Sequence, residues 1–493
     1  MTLTTIVLVI AIAAVLLTLL SHFGLKATAS LPMSFLQHFC GAWFAFSGFV
    51  KIVDPLGTAY KMEQYFDEFA STATGAGAGF LAPVFEWGSG VSVYVATAMV
   101  VLEVVLGLLL ILGESRRFTA WLFFGIMVFF TLLTGFTFLT GYVPSGENFF
   151  DFGAWGKYVE TNMRVTDCGC FGDFLKLDPY TSFLKDCFLM VPAVAFVAFP
   201  GRMHQLFSKT ARVAIGWTSV FAASLFAMSN FLWGLPAMDF RPFAEGKDLR
   251  TQKQAEADAA AAVEVIAYGI ENRATGEYRE LSFDDYLKRY EEFPESDFEL
   301  TQIKTEPTVP HTKLSEFALE DADGMPMADG LLAEPGYVAL VVAYKLYDDG
   351  TEEGTRAVRD SMFVVDTAAD GTVSKVFAAF RERSEVANIT KWDPTYVAKW
   401  REKIVPFADA AERAGWRVAA ATAFTPDSRI DDFRHAVQWQ HDFYKGDDIL
   451  LKTIIRSNPG VVVLKDGKVV KHYHWSEVPA DVETADLPLA AVE

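Results

Sequence analysis

The sequence predicts an α-helical membrane bundle of about six transmembrane helices, followed by a C-terminal soluble α/β domain. Charge is distributed unevenly: residues 1–238 carry 12 Lys and Arg and 14 Asp and Glu, whereas residues 239–493 carry 30 and 48. The first part contains apolar runs close to the roughly 20 residues that a helix needs to cross a bilayer core. The second part alternates buried-strand and helix patterns. A purely soluble enzyme is therefore excluded, and the net charge of −20 argues against a nucleic-acid partner.

The apolar runs predict six spans, at about 4–23, 35–53, 91–113, 117–141, 181–200 and 212–235. The second run is the weakest, because it contains His38, Lys51 and several small residues, and a re-entrant segment is the alternative there. The first run is expected to be retained rather than cleaved as a signal peptide. No basic residue precedes it, and it is too long for the apolar region of a signal peptide.

The short loops predict the orientation of the bundle. One side receives six basic residues opposed only by Glu114, namely Lys26, Arg116, Arg117, Arg202, Lys209 and Arg212. The positive-inside rule places that side in the cytoplasm. The N-terminus, the two long connections at 54–90 and 142–180, and everything after 236 are then periplasmic. We expect a multi-pass protein of the inner membrane, with membrane lipid around it.

The most specific chemical motif is a pair of cysteines in the second long loop, just before the fifth span. Residues 167–173 read Asp-Cys-Gly-Cys-Phe-Gly-Asp. In an oxidising compartment Cys168 and Cys170 form a disulfide or a redox couple, and the intervening Gly169 relieves backbone strain in so small a ring. Strained exposed disulfides tend to be oxidising and labile. Four alternatives stay open: a permanent loop staple, bridges to other cysteines, a metal site, for which further ligands are not evident nearby, and inert thiols.

The other two cysteines differ in their setting. Cys187 falls in the outer part of the fifth span and is a candidate third thiol in a relay. Cys40 falls near the cytoplasmic end of the second span, where a lone cysteine is usually a small apolar packing residue.

Ionisable residues inside the predicted spans supply the remaining candidates. Glu103 falls near the middle of the third span, where a charge is costly and normally has a partner or a function. It is either a proton-accepting or quinone-contacting carboxylate, paired with Lys51, or a protonated carboxyl in an interhelical hydrogen bond. Lys51 and Asp54 fall at the outer end of the second span, and Lys51 is expected to extend its ammonium to the interface.

Together these residues resemble the DoxX-like/MauE-like family of small membrane proteins over residues 35–200. The matching stretches are Phe-Ser-Gly-Phe-Val-Lys at 46–51, Asp-Pro-Leu-Gly-Thr-Ala-Tyr-Lys at 54–61, Glu103 with Gly107, and the run 168–172. The resemblance implies a helical bundle linked to thiol or sulfur redox chemistry, often with a quinone, that aids disulfide formation in periplasmic enzymes. The family core has about four helices, so the first and last spans are departures from it.

Three domains are predicted: the bundle at 1–236, a linker with a small β appendage at 237–305, and the soluble domain at 306–493. The appendage has a strand candidate at 263–268 and a hairpin turn at 275–277. The soluble domain has buried strands at 337–344 and 416–422, helices at 395–414 and 430–444, and a hairpin with an Asp-Gly turn across 459–471. Residues 346–394 resemble an insertion that contains an additional strand at 362–365.

This order resembles a thioredoxin-like domain of membrane-linked thiol oxidoreductases over residues 310–480, with an extended entry strand at 316–324. The Ser-Asn-Pro-Gly run at 457–460 matches the loop that carries a cis proline in that fold, so a cis bond is predicted before Pro459. The sequence departs from the family because no cysteine follows Cys187. Without a thiolate this domain cannot itself exchange disulfides. His472 and His474 are expected at the surface, since a metal site needs more ligands.

Three functions fit these features. In the first, Cys168, Cys170 and Glu103 carry thiol redox chemistry linked to a quinone, and the soluble domain recruits a periplasmic thiol protein or a thioredoxin-like partner. In the second, the chain is a non-enzymatic scaffold in a multi-subunit membrane complex. In the third and least favoured it transports a small solute, although neither an inverted repeat nor matched broken helices are evident.

Overall fold

The computed structural model describes residues 2–165, 169–367, 373–485 and 487, and only the backbone of 354–388. The chain forms two compact units, Met1–Arg241 and Pro242–Glu493. The first unit is helical and the second combines helices with sheets.

Eight α-helices are found among the described residues of the first unit. They are α1 (Leu3–Leu19), α2 (Leu31–Val53), α3 (Pro55–Gly75), α4 (Ala82–Gly90), α5 (Ser92–Leu112), α6 (Arg116–Leu139), α7 (Pro179–Ala198) and α8 (Lys209–Met228). Five helical stretches of the described chain are long and apolar enough to cross a membrane: Leu3–Gly24, Ser92–Leu112, Arg116–Tyr142, Pro179–Ala198 and Lys209–Trp233. The helical membrane part predicted from the sequence is therefore present.

The second predicted span corresponds to α2, which joins α3 through a bend of 94°. Asp54 lies at this bend and caps α3, its Oδ1 accepting a hydrogen bond from the backbone N–H of Gly57 at 3.1 Å. If the bent pair counts as one broken span, the described chain has up to six. α2 has 23 residues, about 34 Å of helix, which exceeds the thickness of a bilayer core.

Polar side chains of α2 face the interior of the unit, which explains why its sequence gives the weakest span. Gln37 and His38 are fully buried. Gln37 Oε1 accepts a hydrogen bond from the backbone N–H of His204 at 2.7 Å, and the His38 ring stacks on the His204 ring with centroids 4.4 Å apart. Polar residues of membrane helices commonly pack inward in this way.

Helices α2 and α5 approach each other closely because small residues meet at their crossing. A Cβ added at Gly107 would lie 2.5 Å from the backbone N of Ala45, and one at Gly41 would lie 2.7 Å from the carbonyl O of Gly107. A Cβ at Gly48 would lie 2.8 Å from the backbone N of Val104. Small residues let membrane helices bring their backbones together. Here they bring the second half of α2 against the middle of α5.

The α5–α6 turn and the loop before α8 meet at one end of the first unit. Arg212 Nε lies 2.7 Å from Glu114 Oε2, and the Leu206 N–H donates to the Leu112 carbonyl at 2.9 Å. The basic residues of these two loops predict that both lie on the same side of the bundle, and the loops do lie together.

The described part of the second unit contains three sheets. Its strands are β1 (Val265–Asn272), β2 (Tyr278–Ser282), β3 (Phe298–Lys304), β4 (Leu319–Glu320), β5 (Tyr337–Ala343), β6 (Asp348–Thr367), β7 (Val373–Trp392), β8 (Arg417–Ala423), β9 (Asp442–Gly446), β10 (Gly460–Lys465) and β11 (Lys468–His474). The largest sheet is mixed, with the order β11-β10-β5-β8-β9-β4. β5 pairs with β8 in parallel and with β10 antiparallel. β2-β1-β3 form a separate sheet, and β6 pairs with β7.

Helices accompany these strands: α9 (Leu249–Ala261), α10 (Phe283–Arg289), α11 (Ala328–Ala333), α12 (Pro394–Lys399), α13 (Val405–Arg413), α14 (Asp427–Val437) and α15 (Asp448–Ile454). A core of buried aromatic and aliphatic side chains, among them Trp400, Phe407 and Phe433, packs with strands β5, β8 and β10. The predicted buried strands and the Asp466-Gly467 hairpin are found here.

One helix prediction in the second unit is wrong. The segment 430–444 was expected to be helical throughout, but α14 ends at Val437. Gln438 adopts φ +63°, and the Trp439 N–H donates back to the Arg434 carbonyl at 2.9 Å, which terminates the helix. The chain then forms β9, which pairs in parallel with β8.

The predicted insertion forms a long hairpin. β6 and β7 have 20 residues each and pair antiparallel along most of their length, so the strand expected at 362–365 is one part of a much longer one. The expected entry strand at 316–324 is shorter than predicted, since β4 has two residues.

Candidate functional site

The loop that carries the cysteine motif inserts into the helix bundle. Phe171 is completely buried, and its ring centroid lies 5.6 Å from that of Trp43 and 6.1 Å from that of Phe46 on α2. Trp43 precedes Lys51 by eight residues, about 12 Å along the helix axis. The loop therefore reaches well past the Lys51 end of α2, among residues of the bundle core.

The backbone of this loop makes its own turns. The Gly172 N–H donates to the Gly169 carbonyl at 3.2 Å, and the Phe174 N–H donates to the Phe171 carbonyl at 3.1 Å. Gly169 has φ +60° and Gly172 has φ +53°, conformations that glycine adopts without the steric cost of a Cβ. Irregular backbone within a bundle is tolerated where protein surrounds it and its polar groups are satisfied.

A buried ion pair lies at the α2–α5 contact. The Lys51 ammonium pairs with Glu103, and their side chains are only 6% and 2% exposed. The ammonium also lies 5.4 Å from the centroid of the Phe130 ring. The expectation that Lys51 extends to the interface is wrong, because the close approach at Gly48 places the lysine directly beside the carboxylate. Glu103 therefore has Lys51 as its ion-pair partner, and its role as a proton-accepting or quinone-contacting carboxylate stays a prediction.

Ser47 connects this ion pair to the cysteine loop. Its Oγ donates a hydrogen bond to the backbone carbonyl of Cys170 at 2.9 Å. The same Oγ lies 3.4 Å from Glu103 Oε2. Because Ser47 lies one turn before Lys51 on α2, both residues face the same contact, and one helix face holds the loop and the ion pair together.

A second buried ion pair approaches Cys170 from α7. Lys185 pairs with the neighbouring Asp186, whose side chain is 1% exposed, and Thr134 Oγ1 on α6 donates to Asp186 Oδ2 at 3.0 Å. The positive charge of Lys185 favours the thiolate of Cys170 and so acts to lower the pKa of that thiol. Lys185 and Asp186 were not among the predicted site residues, although two adjacent charges within the fifth apolar run are the same signal that identified Glu103.

Four charged groups therefore act on the thiol of Cys170: Lys51, Glu103, Lys185 and Asp186. Cys170 is a half-buried free cysteine. Burial raises the pKa of its thiol above the usual value, the two ammonium groups oppose that rise, and the two carboxylates add to it. A thiol in this setting is protonated at neutral pH unless a nearby cation stabilises the thiolate. The predicted partner, Cys168, lies outside the described residues.

The remaining site residues of the first unit are distributed around this cluster. Cys187 follows Asp186 on α7 and is half-buried, so its side chain leaves the helix about 100° around the axis from that of Asp186. Asp54 caps α3. Cys40 is fully buried within the apolar core, as predicted for a packing residue.

Helix α3 holds the long loop at several points. Arg164 forms an ion pair with Glu68, and Asn148 Nδ2 donates to the Thr72 carbonyl at 2.9 Å. A Cβ added at Gly169 would lie 3.2 Å from Cγ of Lys61, so the cysteine motif itself contacts α3. These contacts hold the loop against α3, and the Ser47 hydrogen bond holds it against α2.

The predicted cis peptide bond in the second unit is present, between Asn458 and Pro459. Asn458 Nδ2 donates to the Lys345 carbonyl at 2.8 Å, and its Oδ1 accepts from the Tyr396 hydroxyl at 3.1 Å. This loop therefore contacts the segment that follows β5.

The expectation that His472 and His474 lie at the surface is wrong. Their side chains are 6% and 4% exposed. Burial, with a smaller effect of the nearby Lys399 ammonium, lowers the pKa of His474 from 6.5 to about 4. His474 Nδ1 lies 2.7 Å from the Ser476 hydroxyl. Strand alternation alone could not reveal this, because both faces of the strand are covered.

Comparisons of the chain with protein-family models, with curated proteins and with solved structures find no match.

Proposed function

We propose that this chain is an integral membrane thiol redox protein whose Cys168 and Cys170 exchange a disulfide with an external thiol protein. The observation that supports it most is the Ser47–Cys170 hydrogen bond, which holds the cysteine motif beside two buried ion pairs. Buried charges are costly to keep within a membrane bundle and usually serve a function. A thiol surrounded by titratable groups is also a recognised setting for redox cysteines.

The proposed reaction has two balanced halves. In the first, two thiols of the substrate reduce the Cys168–Cys170 disulfide, so that one disulfide forms on the substrate and two thiols form on this chain. In the second, an acceptor of the quinone class takes two electrons and two protons from the dithiol, which regenerates the disulfide and releases a quinol. Glu103 and Asp186 are carboxylates whose charges act on the Cys170 thiol, and they are suited to accept the protons.

The residues at the site are compatible with a quinone as the electron acceptor. A quinone headgroup needs hydrogen-bond donors for its carbonyl oxygens and apolar or aromatic walls for its ring. Lys51 and Ser47 carry such donors. The Phe130 ring lies beside the Lys51 ammonium, and the Phe171 ring packs against Trp43 and Phe46 on the same helix. Bound there, a quinone would be the oxidant that takes two electrons and two protons from the dithiol.

The proposal includes membership of the DoxX-like/MauE-like type and an orientation in the inner membrane with the long loops and the C-terminal unit in the periplasm. Two findings support the orientation: the loops bearing Glu114 and Arg212 meet at one end, and these loops carry the basic residues. The second unit would be a thioredoxin-like domain without catalytic cysteines that recruits the thiol substrate or a thioredoxin-like partner. The cis bond before Pro459 and the parallel β5–β8 pair support that assignment.

An exchange assay in liposomes tests the proposal. The full chain is reconstituted with a short-chain ubiquinone, and dithiothreitol serves as the thiol donor. We expect quinone reduction that is lost on Cys168→Ser or Cys170→Ser but retained on Lys176→Met, a half-exposed lysine of the same loop. Equal rates for the parent chain and for both cysteine variants would contradict a redox role for the pair.

A non-enzymatic scaffold is the second candidate, and the β6–β7 hairpin favours it. Among the described strands these two pair only with each other, and an isolated two-stranded hairpin is marginally stable in water. A partner protein that adds contacts to the hairpin would stabilise it. For a scaffold, deletion of residues 354–388 should abolish co-purification of a partner, and the parent chain should not reduce quinone. The redox proposal alone predicts quinone reduction by the parent chain and no loss of a complex on deletion.

A further inference from the structure

The segment 79–90 presents a row of exposed apolar side chains. It consists of a 3₁₀ turn, Gly79–Leu81, and helix α4. Phe80, Val84 and Trp87 are 79%, 59% and 68% exposed. Their spacing of four and three residues places them on one side of two successive helical turns. Large apolar side chains that are exposed together mark a surface that binds another molecule or a membrane.

This segment belongs to the long connection at 54–90, and the helix that follows it fixes its level. α5 begins at Ser92 and has 21 residues, about 32 Å of helix, which matches the thickness of a bilayer core. Its first residues therefore lie at the boundary of the hydrocarbon. Only Val91 separates α4 from α5, and the nine residues of α4 span about 14 Å, so the whole of α4 stays near that boundary.

Helix α3 covers a different side of α4. The Phe85 ring centroid lies 5.7 Å from that of Phe69. A Cβ added at Gly88 would lie 3.1 Å from the Phe66 ring. Trp87 leaves α4 about 160° around the axis from Phe85, so it points away from α3. α3 itself leaves α2 at a bend of 94°, so an α2 that crosses the bilayer sends α3 nearly parallel to the membrane surface.

We propose that the segment 79–90 lies in the interfacial layer of the membrane, with Phe80, Val84 and Trp87 inserted at the boundary of the acyl chains. The partner of this surface is therefore a lipid surface. Glu86 is exposed and leaves α4 about 160° around the axis from Val84, which directs its carboxylate to water. α4 thus has an apolar side, a side packed on α3 and a charged side, as expected for a helix whose apolar face lies about 5–10 Å into the interface. The inference goes beyond the proposed reaction and does not depend on it.

The composition of the segment favours lipid over a protein partner. Glu86 is the only ionisable residue in 76–91, so this surface carries almost no charge pattern that a protein could match. Trp87 belongs to a residue type that is enriched at membrane–water interfaces. Tyr94, on the first turn of α5, is also exposed and continues the aromatic surface onto a membrane-spanning helix.

A membrane-bound α4 also bears on the cysteine loop, because α3 contacts both. Glu68 of α3 pairs with Arg164 of that loop, and Phe66 packs against α4 at Gly88. Glu68 and Phe66 leave α3 about 160° apart around its axis. α3 thus holds the loop on one side and α4 on the other, so the membrane surface helps to fix the position of both.

Fluorescence quenching in lipid nanodiscs tests the inference with the full chain. All four cysteines are replaced by serine, and Trp87→Cys, Val84→Cys or Glu86→Cys then supplies a single thiol for an NBD label. Each nanodisc holds one chain in phosphatidylcholine. Doxyl groups placed near the headgroup or near the end of the acyl chain report contact with lipid at two depths, and aqueous iodide reports contact with water.

We expect the labels at positions 84 and 87 to lose most of their fluorescence to the doxyl group near the headgroup and little to iodide. The Glu86→Cys label is the matched neighbour on the water-facing side of the helix. It should lose most of its fluorescence to iodide and little to either doxyl group.

The Gly125→Cys label controls for insertion of the bundle. Gly125 lies near the middle of α6, and a Cβ there meets nothing within 4 Å, so its label should lose most fluorescence to the doxyl group near the chain end. With that control satisfied, iodide quenching at position 87 equal to that at position 86 would place the row in water and overturn the inference. Protection of position 87 from all three quenchers would mean that protein covers it, and would overturn the inference as well.

Discussion

Ser47 of α2 donates a hydrogen bond to the backbone carbonyl of Cys170, with 2.9 Å between the two oxygens. This contact joins a residue within a helix to a loop that is distant in sequence. It places the cysteine motif at the level of the Lys51–Glu103 pair rather than above the bundle. The predictions below follow from that placement.

Removal of the Ser47 hydroxyl should loosen the loop without changing the ion pairs. We expect Ser47→Ala to cost about 1 kcal/mol in the free energy of unfolding, typical of one hydrogen bond, and to increase hydrogen exchange in peptides covering 169–177. Ser219→Ala is the control, because the Ser219 hydroxyl bonds only the local carbonyl of Gly216. Unchanged exchange in the loop would argue that Ser47 does not hold it.

Breaking the Lys51–Glu103 pair on one side should be far more damaging than removing both charges. Lys51→Met leaves a buried carboxylate without its partner, and we expect a loss of about 3–5 kcal/mol in the free energy of unfolding. The double variant Lys51→Met/Glu103→Gln should recover much of that loss. Thermal or denaturant unfolding in detergent gives the double-mutant cycle, and additive effects of the two changes would contradict a direct pair.

The close approach of α2 and α5 should be sensitive to side-chain size. Gly107→Leu places a side chain where a Cβ already lies 2.5 Å from the Ala45 backbone N, so the helices must separate. We expect a loss of about 1–3 kcal/mol or more, as for other overpacked sites, together with slower quinone reduction. Gly125→Leu on α6 is the matched control, since a Cβ there meets nothing within 4 Å. Equal stabilities of the two variants would refute the packing argument.

Burial of His474 makes the second unit sensitive to acid. Its pKa is lowered from 6.5 to about 4, so the folded state binds fewer protons than the unfolded state between these values. Stability therefore falls as the pH decreases from about 6.5 to about 4 and is unaffected by this group above that window. Protection of β10 and β11 amides, corrected for intrinsic exchange, should drop between pH 7 and pH 5. His474→Gln should show a smaller drop, and an equal drop would assign the effect to other groups.

Sequence patterns predicted the features that depend on only a few neighbouring residues. Examples are the apolar run of β5, the Asp466-Gly467 turn and the isolated charge of Glu103. The partners of such groups were harder to find. Lys51 was expected at the membrane interface because its side chain is long enough to reach it. The close α2–α5 packing instead places its ammonium beside Glu103.

The cysteine motif illustrates the same limit. Its composition indicated thiol chemistry, but nothing in residues 142–180 showed that the loop enters the bundle or that charged residues of α7 act on the Cys170 thiol. The position of the loop depends on the helices that surround it. Likewise, His472 and His474 resemble surface residues in an alternating strand, and their burial arises from elements distant in sequence.

The central claim is that Cys168 and Cys170 form a reversible redox couple. The most direct test is maleimide labelling of membranes poised across a thiol redox series, using the full chain with Cys40→Ser and Cys187→Ser so that only the pair reports. We predict a reversible two-electron couple more oxidising than about −250 mV, within the span of catalytic dithiols. A bond that resists reduction across the series, or two thiols that remain free throughout, would contradict the account.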